Sequence, residues 1–169
     1  MTRRALAGWR VALGAGLVLL VATPARAQDR MAELREQFEK ETDPVRKARA
    51  LTRLGNAQWD AARKASAADD YAEARRLVLQ YLDDTETAVK ALKASGIDAE
   101  KKPRGFKELQ IHARKSLREL EQMILSVPAE ERGSLEVYRR DLQAIEKQLI
   151  NDLFPRQPGK PGGKNSRKD

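Results

Sequence analysis

Between Gln28 and Phe154 the chain has three prolines (Pro44, Pro103, Pro128) and four glycines (Gly55, Gly96, Gly105, Gly133). With so few breakers, long uninterrupted elements are the main option left. No stretch alternates apolar and polar residues long enough for a strand, whereas the 3.6-residue period recurs throughout. The expected fold is therefore all-α, an antiparallel bundle of four long helices with a short N-terminal helix and a disordered C-terminal tail.

The punctuation gives the boundaries. A short first helix carries Met31, Leu34 and Phe38 at i, i+3 and i+7 and stops near Thr42. Asp43-Pro44 starts the next one, with aspartate as N-cap and proline at the first helical position. Val45, Ala48, Leu51, Leu54, Gln58, Ala61 and Ala65 form its stripe. Tyr71, Ala74, Val78, Tyr81, Thr85, Ala88 and Leu92 form another. The Asp70/Glu73 spacing is that of a capping box, which favours a break there over one continuous helix across 44–94. Gly96 suits a left-handed C-cap. Phe106, Leu109, Ala113, Leu117, Leu120, Ile124 and Val127 mark the next helix. After a connector at 128–133, Ser134 is the expected cap of a last helix. Its stripe of Leu135, Tyr138, Leu142, Ile145, Leu149 and Leu153 is close to a coiled-coil heptad seam.

Residues 1–27 read as a secretory signal peptide. Arg3, Arg4 and Arg10 precede an uncharged run from Val11 to Ala22, and Ala25-Arg26-Ala27 is an A-x-A cleavage pattern. Twelve helical residues rise about 18 Å, short of the ~30 Å hydrocarbon core, so cleavage is expected and no transmembrane segment remains afterwards. Thr2-Arg3-Arg4-Ala5-Leu6 partly resembles a twin-arginine export signal. The expected location is the periplasm or the extracellular space.

The net charge of +8 is concentrated at the ends. Residues 1–27 contribute four arginines, and the tail, 155–169, contributes Arg156, Lys160, Lys164, Arg167 and Lys168 against Asp169. Subtracting both from 33 basic and 25 acidic residues leaves 24 of each in 28–154, the expected folded domain. The domain itself thus gives no basis for a nucleic-acid partner. The Pro/Gly/Lys tail has nothing to bury and is expected to be disordered. Its five cations are a candidate for weak contact with anionic surfaces.

Leu51-x-x-Leu54-Gly55 and Asp70-Tyr71-Ala72-Glu73-Ala74 resemble the two helix starts of a tetratricopeptide-type hairpin. The likeness covers about forty residues. Its halves stand some seven residues further apart than in that repeat, and there is no second copy. It implies a helical hairpin geometry and nothing about activity.

Little catalytic chemistry can be assembled. The chain has no cysteine and one histidine, His112. Glu108 shares its helix face at i−4, but two ligands are too few for a tight metal site, and a di-iron bundle needs two Glu-x-x-His motifs. His112 flanks its stripe, so a boundary position bonded to a neighbour or water is expected. Asp83-Asp84-x-Glu86 and Glu130-Glu131 are expected at solvent or at a helix start, where acids suit the dipole. No enzyme activity, metal or cofactor is expected.

Trp59, Tyr71, Tyr81 and Tyr138 are the candidate contacts for a groove or partner. The alternative is core packing, with polar tips at the rim. Alanine-dense sequence around Ala57–Ala68 would allow either very close helix packing or a groove between the second and third helices. The function expected is that of an exported, non-enzymatic helical protein of the cell envelope, binding another protein or itself. The alternative is a binder of a small ligand or envelope component through an inter-helix groove or the tail.

Overall fold

The computed structural model describes the backbone of residues 24–155 and the side chains of residues 29–155. Five α-helices and one 3-10 turn make up these residues, with no strand among them. Helix α1 spans Pro24–Lys40, α2 Pro44–Ala67, α3 Tyr71–Ala94, α4 Arg104–Ser126 and α5 Arg132–Leu153. The four long helices have 24, 24, 23 and 22 residues, so their ends can align in a bundle. No helix among the described residues is long and apolar enough to cross a membrane.

Local chemistry explains the breaks. Asp43 is extended (φ −72°, ψ 121°), and its carboxylate accepts from the Arg46 N–H at 2.7 Å, with Pro44 at the first helical position. The region 44–94 is two helices, not one. Asp69 adopts φ +59°, a left-handed conformation that aspartate tolerates better than most residues. Asp70 then caps α3 by accepting from the Glu73 N–H at 3.1 Å. Only half of the capping box forms, because the Glu73 carboxylate pairs with Arg76 instead of reaching back. Gly96 (φ +67°) closes α3 as expected.

The start of α5 corrects one expectation. Ser134 does not cap it; the helix begins at Arg132. The 3-10 turn Ala129–Glu131 runs straight into α5, and Glu131 is already right-handed helical (φ −89°, ψ −14°). No extended residue is left to serve as an N-cap.

The helices form two antiparallel hairpins, α2–α3 and α4–α5, laid side by side. Helix α2 runs parallel to α4: Arg49 bonds Glu108, Asn56 bonds Lys115, and Arg63 bonds Glu119. Helix α3 lies along α5, linked by Lys93–Asp152 at 3.3 Å, and its N-terminal end is held by Arg75 pairing with Glu131. The alanine-rich face of α2 packs closely on its neighbours: Ala48, Ala50 and Ala62 are buried, as are Ala74 and Ala88 of α3. Helix α1 lies against α2 and buries Phe38. The core contains every residue of the α4 stripe and, in α5, all of its stripe except the partly buried Tyr138.

The expected cleavage point after Ala27 lies inside α1, which begins at Pro24. The rest of the expected signal segment, residues 1–23, lies outside the described residues. So do Arg156, Lys160, Lys164, Arg167 and Lys168 of the expected tail.

Candidate functional site

A layer of polar side chains crosses the middle of the apolar core. It is contributed by Gln58 and Trp59 of α2, Tyr81, Asp84 and Thr85 of α3, and His112 and Ser116 of α4. All seven are buried.

Asp84 corrects a sequence expectation. The Asp83-Asp84 pair reads as solvent-facing from the sequence, but Asp84 is only 8% exposed. It points toward α1 and α2, where Arg35 donates to both carboxylate oxygens (3.4 and 2.9 Å) and Gln58 donates to Oδ2 at 2.8 Å. A buried carboxylate persists only when paired and hydrogen-bonded, and these two partners meet that need. The same contact ties α1 to the bundle.

His112 is likewise a core residue rather than a boundary one, at 5% exposure. Its Nδ1 lies 2.9 Å from the Tyr81 hydroxyl, and the two rings sit 5.6 Å apart. Gly55 makes this possible: a Cβ there would stand 2.7 Å from His112 Cε1 and 2.8 Å from Tyr81 Cε2. Trp59 meets Tyr81 edge-on, with 5.4 Å between ring centroids and 62° between planes. Burial, aided by the nearby Lys115 charge, lowers the His112 pKa to about 4, while the Thr52 backbone facing the ring works the other way. The imidazole is therefore neutral at pH 7. Burial pushes the Tyr81 hydroxyl up to about 12, opposed by the polar groups of Ser116, Thr85 and Trp59 around it. Trp59 Nε1, His112 Nε2, Ser116 Oγ and Gln58 Oε1 are buried without a hydrogen-bond partner among the described residues.

The four candidate aromatics separate. Trp59 and Tyr81 are core residues, 4% and 1% exposed. Tyr71 is partly buried, and its hydroxyl donates to Asp69 Oδ1 at 2.7 Å. Tyr138 packs against the core from its edge. They do not line one groove together. Helices α2 and α3 are in close contact with each other, and the cleft beside them, lined by Ala61 and Leu77, lies toward α1.

A cleft does open elsewhere, between α2 and α4. It measures about 410 Å3 and is lined by Arg49, Thr52, Arg53, Asn56, Glu108, Ile111, His112 and Lys115. Glu108 and His112 share it, as their i, i+4 spacing implies. Cations, however, line it more densely than ligating groups, and no cluster of three or more His, Asp or Glu among the described residues is placed to hold a metal ion. Sequence reasoning missed this cleft because it depends on α2 lying parallel to α4, which no local pattern encodes. Its one local trace is that Arg49, Arg53 and Asn56 occupy one face of α2 at spacings of four and three.

Glu131 is not simply an exposed helix-start acid, since it pairs with Arg75 across the bundle. Glu130 remains exposed. No protein-family profile, curated protein or solved structure matches the chain.

Proposed function

We propose that the chain is an exported, non-enzymatic helical module that acts by binding another protein or a second copy of itself. The observation that carries this reading is the distribution of exposed apolar side chains. Of the five large ones among the described residues, Ile111, Leu125, Val137 and Phe154 belong to the α4–α5 hairpin or its end, and only Leu79 lies elsewhere. Leu125 and Phe154 are 72% and 73% exposed. They are separated by charged residues such as Arg114 and Arg118 rather than joined in a continuous stripe, which suits a modest contact more than an obligate interface. The groups best suited to chemistry, Asp84 and His112, are engaged with partners inside the fold. That internal use favours binding over catalysis.

Two measurements test the reading. Intact mass of the exported protein is expected to lack residues 1–27; a mass retaining Met1 overturns export with cleavage. Affinity capture from the envelope fraction, with sedimentation to detect self-association, is expected to yield a partner that the Leu125→Arg/Phe154→Arg variant loses. An unchanged set of captured proteins and unchanged sedimentation in that variant overturn the contact.

The second reading, a small-ligand binder, is favoured by the α2–α4 cleft. At about 410 Å3 it lies within the usual range of ligand sites.

A further inference from the structure

The α2–α4 cleft carries more chemical information than its volume. Three cationic side chains line it, Arg49, Arg53 and Lys115, against a single carboxylate, Glu108. That carboxylate is already shared: Arg49 bonds Oε1 at 3.3 Å, and Arg104 stands 3.7 Å from the same atom. Arg53 is exposed and has no ion-pair partner among the described residues. Lys115 bonds the neutral Asn56 Oδ1 at 3.0 Å and meets no acid. The cleft thus keeps an excess of positive charge that no protein group offsets. A divalent cation would be repelled.

Its walls are not uniformly polar. Ile111 lines it while 56% exposed, an isoleucine held at the surface beside cations. The inner wall includes His112, 95% buried by its 5% exposure, whose Nδ1 is taken by Tyr81 and whose Nε2 has no partner. With the Tyr81 hydroxyl donating to Nδ1, the neutral ring carries its proton on Nε2, which faces the Thr52 backbone and is closed off from solvent, so the ring offers the cleft its apolar edge. Glu108 Oε2 is also buried without a partner. A fixed acceptor there disfavours a second negative charge on whatever enters.

From these features we propose that the α2–α4 cleft binds a small organic monoanion, a monocarboxylate with a short apolar body. Its carboxylate sits between Arg53 and Lys115, and its body lies against Ile111 and the edge of the His112 ring. The proposal rests on the small-ligand reading and narrows it to a chemical class.

The chain has one histidine, so its imidazole signals report on the cleft without ambiguity. The test is an NMR titration of the protein as isolated at pH 7, following the His112 ring. The probes are hexanoate, adipate, hexan-1-ol and hexylammonium. Hexanoate is expected to shift the ring signals saturably, with adipate, the alcohol and the amine weaker by about tenfold or more. Arg53→Gln and Lys115→Gln, both at exposed positions, are each expected to weaken hexanoate by about tenfold, as loss of a hydrogen bond to a charged group does. A saturable hexanoate response that both variants retain in full overturns the proposal. Equal or stronger binding of hexan-1-ol, hexylammonium or adipate overturns the monoanion class while leaving small-ligand binding in place. No saturable response to any probe overturns both.

Discussion

Helices α5 and α3 are similar in length, 22 and 24 residues, and pack against the same core, but they do so with different chemistry. Every buried side chain of α5 is aliphatic: Leu135, Leu142, Ile145, Leu149 and Leu153. Helix α3 buries Tyr81, Asp84 and Thr85 among its apolar residues, and these meet Gln58 and Trp59 of α2 and His112 and Ser116 of α4. An aliphatic contact is non-directional and tolerates many partners of similar volume. A buried polar contact tolerates few, because an unsatisfied group costs about 1–3 kcal/mol. Seen this way, α5 contributes chiefly to cohesion, while the polar layer selects which helix faces meet.

The largest losses of stability are expected on the aliphatic side. Leu142→Ala and Leu117→Ala, at residues 1% and 8% exposed, are each expected to cost about 2–5 kcal/mol in chemical denaturation. Losses under about half a kcal/mol would mean that these stripes do not form the monomer core. On the polar side, His112 gives a pH signature. Its folded pKa, near 4, lies below the ordinary 6.5, so the unfolded chain binds the extra proton between these values. Stability is therefore complete above about pH 6.5 and falls on acidification toward pH 4, by on the order of 3 kcal/mol. With no other histidine and no cysteine in the chain, the upper part of that window belongs to His112. His112→Phe is expected to flatten it, whatever its effect on stability at pH 7. A slope between pH 5.5 and 6.5 that persists in this variant would refute the assignment.

Glycine substitutions sharpen the contrast with smaller effects. Gly55→Ala drives a methyl into the His112 and Tyr81 rings and is expected to destabilise by about 1–3 kcal/mol despite alanine's better helix propensity. Gly133→Ala, at the start of α5 with nothing within 4 Å of a new Cβ, is expected to stabilise by about 0.5–1 kcal/mol. Thermal melts of the two variants should move in opposite directions.

The aliphatic half of this contrast is the half that could be read in the sequence. The stripe from Phe106 to Val127 is buried at every position, and Asp43-Pro44 and Asp70 begin helices as their spacing predicts. The polar half was harder. Gln58 and Thr85 fall on their stripes, but Asp84 reads as solvent-facing by its type, and His112 reads as a boundary residue because it flanks its stripe. Their burial depends on Arg35, which is 49 residues from Asp84, and on Tyr81, which is 31 residues from His112. The pairing of hairpins was equally hidden. The tetratricopeptide-like signature falls on α2 and α3, which do form a hairpin, whereas α4–α5 lacks that signature and forms one all the same.

The lateral bonds between α2 and α4 have a consequence for how this protein can change in length. Arg49–Glu108 and Asn56–Lys115 are both separated by 59 residues in sequence, and Arg63–Glu119 by 56. One inserted residue in the middle of α4 would rotate everything beyond it by about 100° and set the lower bonds out of phase with the upper ones. The same residue added between Ser95 and Pro103 shifts all the α4 partners together and leaves their spacing, and so each pairing, intact. The α3–α4 link can therefore change in length without loss of register, while the paired helices α2 and α4 cannot.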